Sequence, residues 1–189
     1  TNLPQNKKIM GYVGMLRTMG MEKGIDVAIK ALSEITDKNT LLILVGGSKT
    51  DIDFYRKIAI NMNILDRIIF VGRVEHSQIP IYLKAFDVLL APFPENEHYS
   101  FFMSPMKIFE YMASKRPIIS TKLPTIIEIL GDSAYLVAPG SASELRDGIV
   151  TVLNNTVFGD DLSKKAYNRV LGYTWQKRAK NILNFICER

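Results

Sequence analysis

The stretch "SPMKIFEYMASKRPIIS", residues 104 to 120, sets a serine-proline pair, a lysine and an acid along one expected helix. Ser104 is a favourable N-cap and Pro105 a favourable first helical residue, so the spacing starts the helix there. The amides of Met106 and Lys107 are then free to meet an anion such as a phosphate. Pro105, Ile108, Phe109 and Met112 form the apolar face, which leaves Glu110 on the edge near Met106 and Ala113. A carboxylate so placed can accept from two vicinal hydroxyls, as a ribose offers, while the amides hold phosphate. The plainer reading of Glu110 is a solvated acid on a helix surface.

Other chemistry-bearing patterns fail on spacing. "GGSKT" lacks the glycines of a phosphate-binding loop: Ser48 stands immediately before the lysine and Ile43 five residues earlier. It reads as a turn leading to a helix capped by Asp51. "GYVGMLRTMG" lacks the G-x-G-x-x-G spacing that lets a dinucleotide approach the backbone. Asp51 and Asp53 could form a metal pair, but acids at a helix start favour capping and the helix dipole. His76 and His98 are isolated and read as loop histidines. The single cysteine, Cys187, offers neither a disulfide framework nor metal-ligand spacing, which suits a reducing compartment.

The elements that must position Glu110 are legible as alternating runs. "KIMGYVG", "LLILVGG", "IIFVG", "VLLAPF", "PIIST" and "AYLV" are six short apolar strands, most ending in Gly or Pro. Helical patterns lie between them at 23 to 35, 52 to 62, 79 to 86, 104 to 114 and 125 to 130. Three more follow at 141 to 154, 160 to 171 and 174 to 187. Continuous rather than alternating apolarity means strands covered on both faces, hence a parallel sheet with flanking helices. The expected fold is therefore α/β, a Rossmann-like doubly wound sheet of about six strands with C-terminal helices. In such a sheet ligands gather beyond the carboxyl ends of the strands, where the loops "GMLRTMGMEKG", "GGSKTD", "GRVEHSQ" and "PENEHYSFFMSPMK" should lie.

The 189 residues, 47% of them hydrophobic, suffice for one full core. No apolar run approaches the ~20 residues of a membrane span, and no signal-peptide pattern opens the chain. The net charge of +5 suits an anionic ligand or the anionic inner membrane face. No dense basic block with interleaved aromatics points to nucleic acid.

These motifs and their order resemble the C-terminal domain of family-4 retaining glycosyltransferases of the GT-B fold. The resemblance is carried by "YVGMLRTMGMEKGIDVAIKAL", "IIFVGRVEHSQIPIYLKAFDVLLAPF", the opening stretch and the closing "YTWQKRAKNIL". It implies a nucleotide-sugar donor site in this domain, a separate N-terminal domain for most of the acceptor, and no required metal or other cofactor. By resemblance Glu110 holds the donor ribose, and Arg17 and Lys23 neutralise the diphosphate. Gly14 belongs to the same loop, and the backbone of Gly72, Arg73 and Val74 meets the base. Ser104, Met106 and Lys107 complete the donor site. The sequence departs from the family pattern at Phe102, where a sugar-reading glutamate is usual, and at Lys115, where a turn glycine is usual. Glu95 or Glu97 are the acids near enough to substitute.

The expected organisation is a linker remnant over 1 to 8, a nucleotide-sugar-binding domain over 9 to 172 and a C-terminal helix over 173 to 189. The expected activity is sugar transfer from a nucleoside diphosphate sugar with retention, in glycan or cell-envelope synthesis. The expected location is cytoplasmic, with peripheral contact at the inner membrane face. Two alternatives stay open: a nucleotide-binding module without transferase activity, favoured by Phe102, and a GT-B epimerase.

Overall fold

The computed structural model describes residues 3, 4, 6 to 18 and 20 to 187. Of the expected linker, 1 to 8, residues 1, 2 and 5 lie outside the described residues, Leu3 packs against the core and Lys8 already opens β1. Chain order runs β1 (Lys8–Val13), β2 (Arg17–Thr18), β3 (Met21–Glu22), α1 (Ile25–Glu34), β4 (Thr40–Val45), α2 (Lys49–Asn61), β5 (Ile68–Gly72) and α3 (Ile79–Ala85). It continues with β6 (Val88–Ala91), α4 (Met106–Ala113), β7 (Ile118–Thr121), α5 (Pro124–Leu130), β8 (Tyr135–Val137), α6 (Ala142–Asn154), α7 (Thr156–Val170) and α8 (Trp175–Cys187).

The main sheet has six strands in the order β5-β4-β1-β6-β7-β8, all parallel. Its strands are apolar on both sides because side chains alternate between two cores. Met10, Tyr12, Leu42, Leu44, Val88 and Leu90 point into one, with α1, α2 and α6 over them. Ile9, Val13, Ile43, Val45, Leu89 and Ala91 point into the other, under α3, α4 and α5. The chain leaves β1 toward β4 and β5, then returns to build β6, β7 and β8 on the other side. Strand order therefore reverses between β1 and β6, which is where such sheets open a crevice.

Four local departures from the expected pattern have physical causes. The loop after β1 contains a hairpin, β2 paired antiparallel to β3, too short to leave a periodic signal. Helix α2 begins at Lys49 with Ser48 as its cap, and Asp51 is the reciprocal partner in a capping box rather than the cap itself. Helix α7 begins at Thr156 instead of near 160, because the Asn155 side chain caps it through the Phe158 amide at 3.0 Å. Helix α4 begins at Met106 with Pro105 in the cap position, and among the described residues no side chain caps it. Ser104 is thus not the cap: Pro105 itself keeps extended backbone, with φ −79° and ψ 94°, so the helical residues begin only at Met106.

Candidate functional site

The site is built on the end of β1. Gly14 follows the strand with φ 138° and donates its amide to Val45 O at 2.9 Å, while Gly46 donates to Gly72 O at 2.7 Å. A Cβ on Gly46 would lie 2.2 Å from Gly14 O, so the ends of β1 and β4 approach as closely as they do only because glycine stands there. The result is a bare backbone floor at the carboxyl edge of β5, β4 and β1.

Helix α4 is anchored to that floor by Tyr111. Its buried hydroxyl accepts from Val13 N at 2.8 Å and lies 3.3 Å from Val13 O. Burial drives the Tyr111 hydroxyl well above the usual tyrosine range, so it stays a neutral phenol. This tether carries the first turn of α4, with the amides of Met106 and Lys107, toward the end of β1. The first backbone bond of that turn is Ile108 N to Pro105 O at 3.0 Å.

The half-buried Lys107 side chain lies over the floor. Its ammonium donates to the Tyr12 hydroxyl, sits 3.8 Å from the Tyr12 ring centroid and is 5.6 Å from that of Phe93. Tyr12 in turn donates to Met15 O at 2.8 Å. A Cβ on Gly14 would fall 2.8 Å from Lys107 Nζ, so the glycine also makes room for the lysine. Burial, then the positive charge of Lys23, lowers the Lys107 amine to about 7, with Glu110 opposing.

The other candidate residues surround this point unevenly. Lys23, just after β3, places its ammonium 4.7 Å from the ring centroid of buried Tyr99, whose hydroxyl donates to Glu22 O. Arg17, in β2, is turned toward α2, with its guanidinium 4.8 Å from the Phe54 ring, and its buried Nε has no hydrogen-bond partner among the described residues. Glu110 sits on the α4 edge with its side chain 38% exposed, 3.7 Å from Nε2 of His76. Gly72 and Arg73 line a cavity of about 580 Å³ with Gly47, Ser48 and Ile52, and Val74 follows them. Glu95 and Glu97 are exposed on the loop after β6, and Ser104 is exposed at its end. Phe102 is 70% exposed at the end of a π-helical turn, His98–Phe102.

Three participants were hidden from sequence reasoning. Lys107 was expected to contribute an amide, and its side chain faces the floor as well. His76 looked isolated because its neighbour Glu110 is 34 positions away in the chain. Tyr12 read only as a core strand residue, yet its hydroxyl reaches the strand end. The continuous apolar run of β1 does mark Tyr12 as buried, but it says nothing about the lysine above it.

A doubly wound parallel sheet whose central strand ends in glycine beneath lysines and a helix start is an α/β domain of the Rossmann-like class. The model for glycosyl transferases group 1 matches residues 7–155, and the chain belongs to that family. It is 27% identical over 158 residues to the 2-deoxystreptamine glucosyltransferase of Streptomyces kanamyceticus, covering 81% of this chain and 38% of that protein. An uncharacterized glycosyltransferase of Methanocaldococcus jannaschii is 22% identical over 95% of this chain and 44% of its own length. The fold is that of the GT-B glycosyltransferases. It superposes on the sucrose-phosphate synthase of Thermosynechococcus elongatus with TM-score 0.82 at 24% identity, over 99% of this chain and 46% of the other. HepE of Anabaena in complex with UDP-glucose gives TM-score 0.80 at 20% identity, over 97% and 50% of the two chains. The chain therefore spans half or less of the length of these relatives.

Proposed function

We propose that this chain is the donor-binding half of a two-domain glycosyltransferase that moves a sugar from a nucleoside diphosphate sugar to an acceptor with retention. The observation that carries the reading is the convergence of Lys23, Lys107 and Glu110 around the open end of β1 at Gly14. Net positive charge over a bare backbone floor suits a diphosphate, and a half-exposed carboxylate one helical turn away suits a ribose. The HepE relative that binds UDP-glucose supports the same assignment.

In this reading the amides of Met106 and Lys107 and the Lys23 ammonium receive the diphosphate. Arg17 adds a second basic side chain from the same loop, and its Nε, without a hydrogen-bond partner among the described residues, is a donor in want of an acceptor. The ribose hydroxyls bond Glu110, and the base lies along Gly72, Arg73 and Val74 beside the 580 Å³ cavity. As the glycosidic bond breaks, negative charge grows on the departing diphosphate. Fixed cations and amides stabilise that charge more than the ground state, and this is the catalytic contribution of the domain, with no metal required. Acceptor binding belongs to an N-terminal domain of the same polypeptide. Glycan or cell-envelope synthesis in the cytoplasm, at the inner membrane face, is the setting we favour; among the described residues no helix is long and apolar enough to cross a membrane.

Phe102 favours a second reading, a nucleotide-binding module without transfer activity, because the position offers a ring where a sugar hydroxyl would need an acceptor. A screen of nucleotide sugars against the chain by ligand-observed NMR tests the first reading. The expected result is binding with Kd on the order of 0.1 to 1 mM, weak because only one wall of the cleft is present. Transfer should be absent from the chain alone. Failure of every nucleoside diphosphate and nucleotide sugar to bind would remove the donor-site assignment.

A further inference from the structure

Lys107 is a half-buried cation without a counter-ion. Among the described residues no carboxylate lies within ion-pairing distance of its ammonium, whereas Glu110 on the same helix pairs with His76 instead. Its described polar partner is the Tyr12 hydroxyl, a neutral acceptor that burial holds well above its ordinary titration range. A second cation, Lys23, is close enough to disfavour its charge. Placing two ammonium groups together over an apolar and aromatic wall is costly unless an anion arrives between them. Gly14 leaves that space open where the lysine now sits, since a Cβ there would fall 2.8 Å from Lys107 Nζ and push it aside.

Resting on the donor-site reading above, we propose that the Lys107 ammonium is a third diphosphate-binding cation. It is poised by Tyr12 over Gly14 and grips the phosphates directly, beside Lys23. This is a side-chain role in addition to that of its helix amide. The groups that face it from each neighbouring element are Tyr12 on β1, Lys23 after β3 and Glu110 on α4 itself, with Tyr99 behind Lys23 and His76 behind Glu110.

A proton linkage follows. In the free protein the amine titrates near 7, so above neutral pH it is largely uncharged. A bound diphosphate favours the charged form and raises that value, so binding draws one proton from solvent onto Nζ. The sign is fixed: this contribution is fully present below about 7 and is lost as pH rises through the higher value of the complex. The nucleotide's own phosphate titrates the other way, so the difference between wild type and variant isolates the lysine.

The test is calorimetric titration of UDP, GDP and ADP into wild type, Lys107→Met and Lys107→Arg, with melting temperatures recorded alongside. For whichever nucleotide binds the wild type, Lys107→Met should weaken binding about tenfold or more at about pH 6.5. Between about pH 6.5 and 9, wild-type affinity should fall about tenfold more than that of the Met variant, and only the wild type should take up a proton. Lys107→Arg keeps a charge that cannot titrate, so it should bind without that slope. Wild-type binding with a Met variant within twofold of it and an identical pH profile would overturn the proposal while leaving the donor site standing. If the Met variant fails to fold, an Arg variant with the wild-type slope overturns it equally. A wild type that binds none of the three overturns both.

Discussion

Among the described residues the carboxylate of Glu110 lies within ion-pairing distance of a largely solvated histidine, and it keeps 38% of its side chain exposed, so it gives the fold little and can serve a ligand. Glu110→Gln keeps the shape and removes the charge. Loss of a charged hydrogen bond costs about 1.5 to 3 kcal/mol, so nucleoside diphosphate affinity should fall roughly ten- to a hundredfold. The melting temperature should hardly move, because Gln is also a good helix former. Calorimetry and thermal melts on one preparation check both, and unchanged affinity would return Glu110 to the status of a surface acid. The edge position of this residue was readable from helical periodicity alone. The Lys107 ammonium was not, because periodicity gives the face of a helix but not the contacts of a long flexible side chain. Only packing against Tyr12 and Gly14 reveals it.

At the scale of elements, the strands were legible because buried parallel strands are continuous apolar runs, and every expected strand formed within a residue or two. What holds one of the connections was not legible. Buried Arg67 donates to four carbonyls, those of Leu32, Ile35, Asp37 and Thr40, and so ties the end of α1 to the start of β4. In sequence it is only a charged residue before "IIFVG", since carbonyl acceptors carry no residue signature. Arg67→Met would orphan those carbonyls and should cost about 3 kcal/mol in chemical denaturation, with nucleotide affinity unchanged in the folded protein. A loss under about 0.5 kcal/mol would mean water replaces the guanidinium. Lys115 shows the opposite case, a backbone demand that was readable. The usual turn glycine there implied positive φ, and Lys115 adopts φ 60°, with its ammonium 4.1 Å over the Tyr167 ring. That contact offsets part of the strain of the left-handed conformation.

For the whole molecule, the reversal of strand order between β1 and β6 decides where a ligand can sit, and glycines and basic side chains collect at that edge. A second hollow, of about 710 Å³, adjoins the first turn of α4 and runs to α8, lined by Phe101, Phe102, Met106, Trp175 and Ile182. The account's central claim is that a nucleoside diphosphate occupies the first location and not the second. Backbone amide NMR during titration with the nucleotide that binds tests this most directly, since amides report position independently of affinity. The account predicts the largest shifts at Gly14, Gly46, Gly72, Lys107 and Glu110, with α8 unmoved. Shifts confined to α8 and the loop at Phe101 and Phe102, with Gly14 and Gly72 silent, would contradict it.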